Sequence, residues 1–241
     1  MTTSAVPFCI GHSHVACVED AARELGAPLT AINFWQSPTS QIQATNGSWQ
    51  LSETTAEKIA RHDGPIFSLV GGASYGVLGM LVHPRPWDFV SPGSIDPEEP
   101  VGYELIPFGA VKATLTALMQ EYLTMIGQIA QCARRGVFQI EPPPPYADAA
   151  RIAPHIYWSL YPGMRQEISP AAFRLRLWSL QSQILRDYCR DSGVGFVSHP
   201  ASTATRDGFM ADDYFFDGAH ANRAYGTLVL RQMQGIHEAS V

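Results

Sequence analysis

Basic residues are scarce in this chain and dispersed along it: 16 Lys and Arg stand against 22 Asp and Glu in 241 residues, a formal charge of −6. Nucleic acids and anionic membrane surfaces are recognised by basic patches that displace counterions, so neither is an expected partner. Long apolar runs are missing too. No stretch of about 18 uncharged apolar residues occurs, so the sequence predicts no membrane span. The opening segment MTTSAVPFCIGHS has no basic region and only a brief apolar run, so it does not read as a secretion signal. Cysteine is limited to Cys9, Cys17, Cys132 and Cys189, with no C-x-x-C pair. Each lies in an apolar pattern and reads as a reduced core residue of a cytoplasmic protein rather than as half of a disulfide or a metal ligand. The eight histidines form no H-E-x-x-H or related spacing, so no metal and no other cofactor is expected. Phosphate loops are absent as well: GGASYGVLG is neither G-x-G-x-x-G nor a G-K-[ST] loop.

What the chain does have is apolar material, 46% of its residues, and a regular alternation of short apolar runs with helical patterns. The length and the lack of repeats predict one α/β domain over residues 1–241. Expected strands are Pro7–Gly11, Leu29–Trp35, Pro65–Val70, Gly136–Glu141 and Gly193–Ser198, each apolar and bounded by Gly or Pro, as suits strands covered on both faces. Expected helices include one with Val15, Val18, Ala22 and Leu25 on its inner face, ending at Gly26. A shorter one spans Leu51–Arg61. A long stripe runs through Val111, Leu115, Leu118, Tyr122, Met125, Ile129 and Cys132. Another follows Pro170 through Phe173, Leu177, Leu180, Ile184 and Tyr188, and a last one carries Tyr225, Leu228 and Met233. Such alternation implies right-handed crossovers and a mostly parallel five-stranded sheet in a three-layer α/β/α sandwich. Ligands of such sheets bind beyond the carboxyl ends of the strands. Ser13, Gly71–Gly79 and the EPPPPY segment from Glu141 all follow expected strands, and the Pro-rich segments Pro84–Pro107 and Pro142–Gln166 read as loops lining the same rim.

Two short stretches could carry chemistry. In GHSH, Ser13 stands where the first strand gives way to a helix, and it is either an N-cap or a nucleophile. In DGAH, Asp217 and His220 are three residues apart, a spacing that puts both side chains on one side of a turn. The carboxylate can then hold the imidazole Nδ1–H and leave Nε2 free as a base; otherwise Asp217 caps the last helix and His220 is solvated. His12 is expected to be partly buried and hydrogen-bonded, and His14 to sit on the exposed side of the first helical turn.

Together, a serine after the first strand and D-x-x-H before the last helix resemble the SGNH (GDSL-type) hydrolase family, and ANRAYG after the histidine extends the likeness. The resemblance implies a flavodoxin-like SGNH hydrolase fold and a triad of Ser13, His220 and Asp217. It implies hydrolysis of acyl esters through an acyl-serine, with a small-molecule or carbohydrate ester as substrate, a sugar O-acetyl group being one candidate. In that family the oxyanion hole uses the serine N–H, a glycine N–H and an asparagine side chain. If Gly71–Gly72 match the third block, Ala73 stands at the asparagine position and cannot donate. The resemblance leaves Ser13 N–H, Gly47 and the hydroxyl of Ser74 or Tyr75 as candidate donors, while Gly71, Gly72 and Gly76 can equally form only a tight turn. A family member weakened at this site that binds a carbohydrate or acyl ligand without turnover, and an acyltransferase with the same triad, are the alternatives. Trp35, Trp49, Trp87 and Trp158 offer aromatic faces for a sugar or for the core.

Overall fold

The computed structural model describes residues 6–36, 41–45, 48–92 and 102–240. Five strands, β1 (Phe8–Gly11), β2 (Thr30–Asn33), β3 (Ile66–Leu69), β4 (Val137–Ile140) and β5 (Gly195–Val197), form one parallel sheet in the order β2-β1-β3-β4-β5. Phe8 is in register with Thr30 on one side and Ile66 on the other, and Ile66 with Val137. The direction of winding reverses between β1 and β3, so a crevice opens beyond their carboxyl ends.

Side chains alternate across each strand, and the two faces bury different helices. Phe8, Ile10 and Ile66 join the core under α2 (Glu53–Arg61), α4 (Phe108–Cys132) and α5 (Ala171–Ser192). Cys9, Phe67 and Leu69 join the core under α1 (Val15–Leu25) and α6 (Arg223–Ser240). A six-residue helix, α3 (Ser74–Gly79), follows β3 on the rim. The result is the three-layer α/β/α sandwich that the alternation implies. All four cysteines are free thiols. Among the described residues, no helix is long and apolar enough to cross a membrane.

Several local expectations need correction. The two edge strands are not covered on both faces: β5 is only half-buried throughout, because an edge strand has one neighbour. Leu25 is 52% exposed at the last turn of α1, and Gly26 ends that helix at φ 60°. The buried arc of α4 is centred over Val111, Leu115, Met119 and Ile126, which leaves Leu118 at its solvent margin. The helix expected from Leu51 begins at Glu53. Ser52 caps it by accepting from Thr55 N, and Leu51 belongs instead to a hairpin, Ile42–Thr45 with Ser48–Leu51. Its strands alternate apolar Ile42, Ala44, Trp49 and Leu51 with polar residues, so no continuous apolar run announced it.

The EPPPPY segment is not a surface loop: residues 141–146 are all buried. Prolines bring carbonyls without N–H groups, so the segment needs donors from elsewhere. Arg174, fully buried in α5, supplies them to the carbonyls of Tyr146, Ala147 (2.8 Å) and Ser169 (3.0 Å). Glu141 at its head is also buried. Its Oε1 accepts from the hydroxyl of Ser182, and its Oε2 accepts from the N–H of His199 at 3.0 Å and lies 2.8 Å from His199 Nδ1. Burial pushes the Glu141 carboxyl up, but the hydrogen bonds from His199 and Ser182 outweigh it and hold the group below the ordinary carboxylate value.

Candidate active site

β1 ends at Gly11 because the chain must pass the neighbouring strand very closely. A Cβ at Gly11 would lie 2.4 Å from the Leu69 carbonyl. The backbone then turns through His12, Ser13 and His14 into α1, with Val15 N–H donating to the His12 carbonyl and Ala16 N–H to that of Ser13. His14, not Ser13, occupies the N-cap position, and it makes no side-chain cap. The Ser13 hydroxyl is therefore not used as a cap, and Ser13 N–H has no acceptor among the described residues.

The partner of that hydroxyl comes from 207 residues along the chain. Ser13 Oγ lies 2.8 Å from His220 Nε2. On the other side of the ring, His220 Nδ1 faces both Asp217 oxygens, at 3.0 and 2.8 Å. A nitrogen facing a carboxylate carries the proton, which leaves Nε2 as an acceptor for Ser13 O–H. Asp217 is itself fixed: its Oδ1 accepts from the N–H groups of Ala219 and His220, both at 2.7 Å. Burial raises the Asp217 carboxyl, but the bonds from His220 and Ala219 exceed that effect and keep it below the usual carboxylate value, hence ionised at neutral pH.

Two residues of the ANRAYG stretch, neither given a role by the sequence, hold this arrangement. Asn222 ties the loop to the last helix. It accepts from Ala224 N–H at 2.9 Å and donates to the carbonyls of Asp213 (2.7 Å) and Phe215 (3.3 Å). Asn immediately before a helical stripe was the available signal. Gly226 sets how closely α6 approaches α1: a Cβ there would lie 2.0 Å from the Cys17 carbonyl oxygen. No larger residue fits at that crossing, so the glycine of ANRAYG brings the helix after His220 against the helix after Ser13.

The two histidines flanking Ser13 are both drawn into the fold. His12 is half-buried and its Nδ1 accepts from Gly71 N–H at 3.3 Å, so its proton sits on Nε2. Burial lowers it to about 4. His14 corrects the expectation of exposure. It is 8% exposed, lies over Gly72 with its ring 5.4 Å from that of His220, and is lowered to about 3, by burial first and then by His220. Neither is positioned as a base at neutral pH; both are neutral packing groups.

The other candidate donors fare differently. Gly47 lies outside the described residues. Ser74 is buried at the start of α3 and is not among the residues lining the cleft at Ser13 and His220. Tyr75 is buried, and burial pushes its phenol up to about 12. Gln181 of α5 clamps the loop between them, accepting from Tyr75 N–H at 2.8 Å and donating to the Gly72 carbonyl. Ala73 is half-buried beside them. Of the tryptophans, Trp87 packs edge-on to Phe173 with centroids 4.9 Å apart and Trp158 is half-buried, whereas Trp35 and Trp49 are 67% and 42% exposed. Among the described residues, no group of three or more His, Cys, Asp or Glu is arranged to hold a metal ion.

No family model matches this chain, and no curated protein does. Solved structures do match. A carbohydrate acetylesterase from Sinorhizobium meliloti is 10% identical, covering 97% of this chain and 99% of its own, with a TM-score of 0.45. A GDSL-like lipase from Bacteroides thetaiotaomicron is 13% identical, covering 100% and 91%, at 0.43. The periplasmic domain of a Salmonella lipopolysaccharide acetyltransferase is 10% identical, covering 98% and 84%, at 0.49. At these values they bear on no residue's role.

Proposed function

We propose that this chain is a serine hydrolase of acyl esters, a divergent member of the SGNH group, with Ser13 as nucleophile, His220 as base and Asp217 as the group that orients it. The observation that carries this reading is the 2.8 Å contact between Ser13 Oγ and His220 Nε2, with Nδ1 held by a carboxylate. An alcohol is a weak nucleophile until a base removes its proton. Ser13 Oγ attacks the ester carbonyl carbon as its proton passes to His220 Nε2. The tetrahedral oxyanion collapses, the bond to the leaving alcohol breaks, and the alcohol oxygen takes the proton back from His220. Water then attacks acyl-Ser13 with His220 again as base, and the carboxylic acid leaves. Asp217 stabilises the imidazolium formed in both halves.

Ser13 N–H is the oxyanion donor in this scheme. Ala73 offers no side-chain donor, and one missing donor costs roughly 10²–10³ in kcat. This motivates a second reading, a binder of acylated sugars with little turnover. An acceptor sugar in place of water would make the same triad an acyltransferase. An active-site-directed fluorophosphonate separates hydrolase from binder: it is expected to label the native protein at Ser13 and not the Ser13→Ala variant. A folded native protein that resists labelling and cleaves no short-chain ester ends the hydrolase reading.

A further inference from the structure

Beside His12, on the side away from α1, lies a second concavity of about 150 Å³. Its walls include His12, Phe34, Trp35, Trp49, Glu121 and Tyr122, with Ile42 and Met125 completing them. The His12 ring meets Phe34 and Tyr122 edge-on, with centroids 5.3 and 5.2 Å away, and Trp35 at 6.1 Å. The far wall is not loose: Gln128 of α4 accepts from Leu51 N–H at 2.9 Å and donates to the Trp49 carbonyl at 3.3 Å, pinning the hairpin. Phe34 is buried and Tyr122 half-buried, but Trp35 and Trp49 stay exposed, and two exposed indoles on one concavity mark a candidate binding surface.

The polar groups of the cleft decide what it suits. His12 accepts from Gly71 through Nδ1, so Nε2 carries a hydrogen; that N–H has no acceptor among the described residues. Glu121 is exposed at the mouth and has no ion-pair partner among the described residues. The His12 N–H, the indole N–H groups of Trp35 and Trp49, the Tyr122 hydroxyl and the Glu121 carboxylate bring donors and acceptors together with aromatic faces. This set matches a sugar ring, whose hydroxyls both give and take hydrogen bonds and whose C–H faces stack on aromatics. A quaternary ammonium would also suit the rings and Glu121, but it would face the positive end of the His12 N–H. Ser13 follows His12 directly, and consecutive Cα atoms are about 3.8 Å apart, so the turn that carries the nucleophile also walls this cleft, which shares no lining residue with the cleft at Ser13 and His220.

We infer that this aromatic cleft is the subsite for the alcohol half of the substrate, and that this alcohol is a pyranose sugar. The inference rests on the hydrolase reading for its chemistry but not for its binding test. In the Ser13→Ala background, ligand-observed NMR should show saturable binding of methyl glucoside, lost when Trp35→Ala is added. That result stands even if the native protein hydrolyses nothing.

In the native background, Trp35→Ala should lower about tenfold the ratio of kcat/KM for a mono-acetylated methyl glucoside to that for methyl acetate. Glu121→Gln, which keeps an acceptor oxygen, should change that ratio less than threefold. The proposal is overturned if Trp35→Ala and Trp49→Ala both leave sugar binding intact, or if methyl glucoside does not bind. It is also overturned if acetylcholine binds in place of the sugar and Glu121→Gln abolishes that binding, since the cleft is then a cation cage.

Discussion

Replacing Gly226 by alanine tests whether the approach of α6 to α1 is what joins Ser13 to His220. The added Cβ would lie 2.0 Å from the Cys17 carbonyl oxygen and 2.9 Å from Val18 N. Both are backbone atoms, so no side chain can swing aside. Ordinary contact begins at about 3.4 Å, so the helices must part by up to about 1.4 Å. The Ser13–His220 contact of 2.8 Å then passes beyond hydrogen-bond reach. A misplacement of about 1 Å costs about 10²-fold in rate, and overpacking costs ~1–3 kcal/mol of stability. The assay is the rate of fluorophosphonate labelling of Ser13, measured at a temperature where circular dichroism shows the variant folded. Labelling should slow about a hundredfold. Gly235→Ala is the matched control. It lies in the same helix, where an added Cβ meets nothing within 4 Å, so it should label normally and gain up to ~1 kcal/mol from helix propensity. If Gly226→Ala, folded, labels within threefold of native, the helix approach is not what aligns the site.

Acid stability should follow the two histidines flanking Ser13. In the unfolded chain they protonate near 6.5, but in the fold they stay neutral down to about 4 for His12 and about 3 for His14. Between pH 6.5 and 4 the unfolded state therefore binds up to two more protons. The unfolding free energy should be level above 6.5 and fall on acidification by up to ~2.7 kcal/mol per pH unit. Urea midpoints across that range check it; His14→Asn should roughly halve the slope, and a flat profile in the native protein contradicts the burial. Arg174→Leu strips donors from three carbonyls, each worth ~1–3 kcal/mol, so the melting temperature should drop sharply or the protein should fail to fold. An unchanged melting temperature would mean water serves those carbonyls. Ala73→Asn should raise esterase kcat by tenfold or more if a missing oxyanion donor limits the rate, and no gain would show that another group fills that role.

The five sheet strands lie within the apolar runs that mark them, and the parallel α/β sandwich follows from their alternation with helical stripes. Burial on both faces selects continuous apolar segments, and that signal is local. The hairpin of Ile42–Thr45 and Ser48–Leu51 escaped notice because its strands are short and alternate apolar with polar residues, so they form no continuous apolar run. Asp217 and His220 were legible as a pair because three residues of spacing fixes their geometry within one turn. His14 was misread because its exposure depends on Gly72 and the neighbouring ring of His220, contacts 58 and 206 residues away.

By itself, then, the sequence determined the alternation of strands and helices that builds the layers and the three-residue spacing that lets Asp217 reach His220, since each depends only on residues close in the chain. Tertiary structure alone decided that the Ser13 hydroxyl meets that imidazole and that an aromatic cleft opens beside it. Both depend on how two helices and a hairpin close over the sheet edge. A backbone approach that only Gly226 permits sets that distance, and no local periodicity records it.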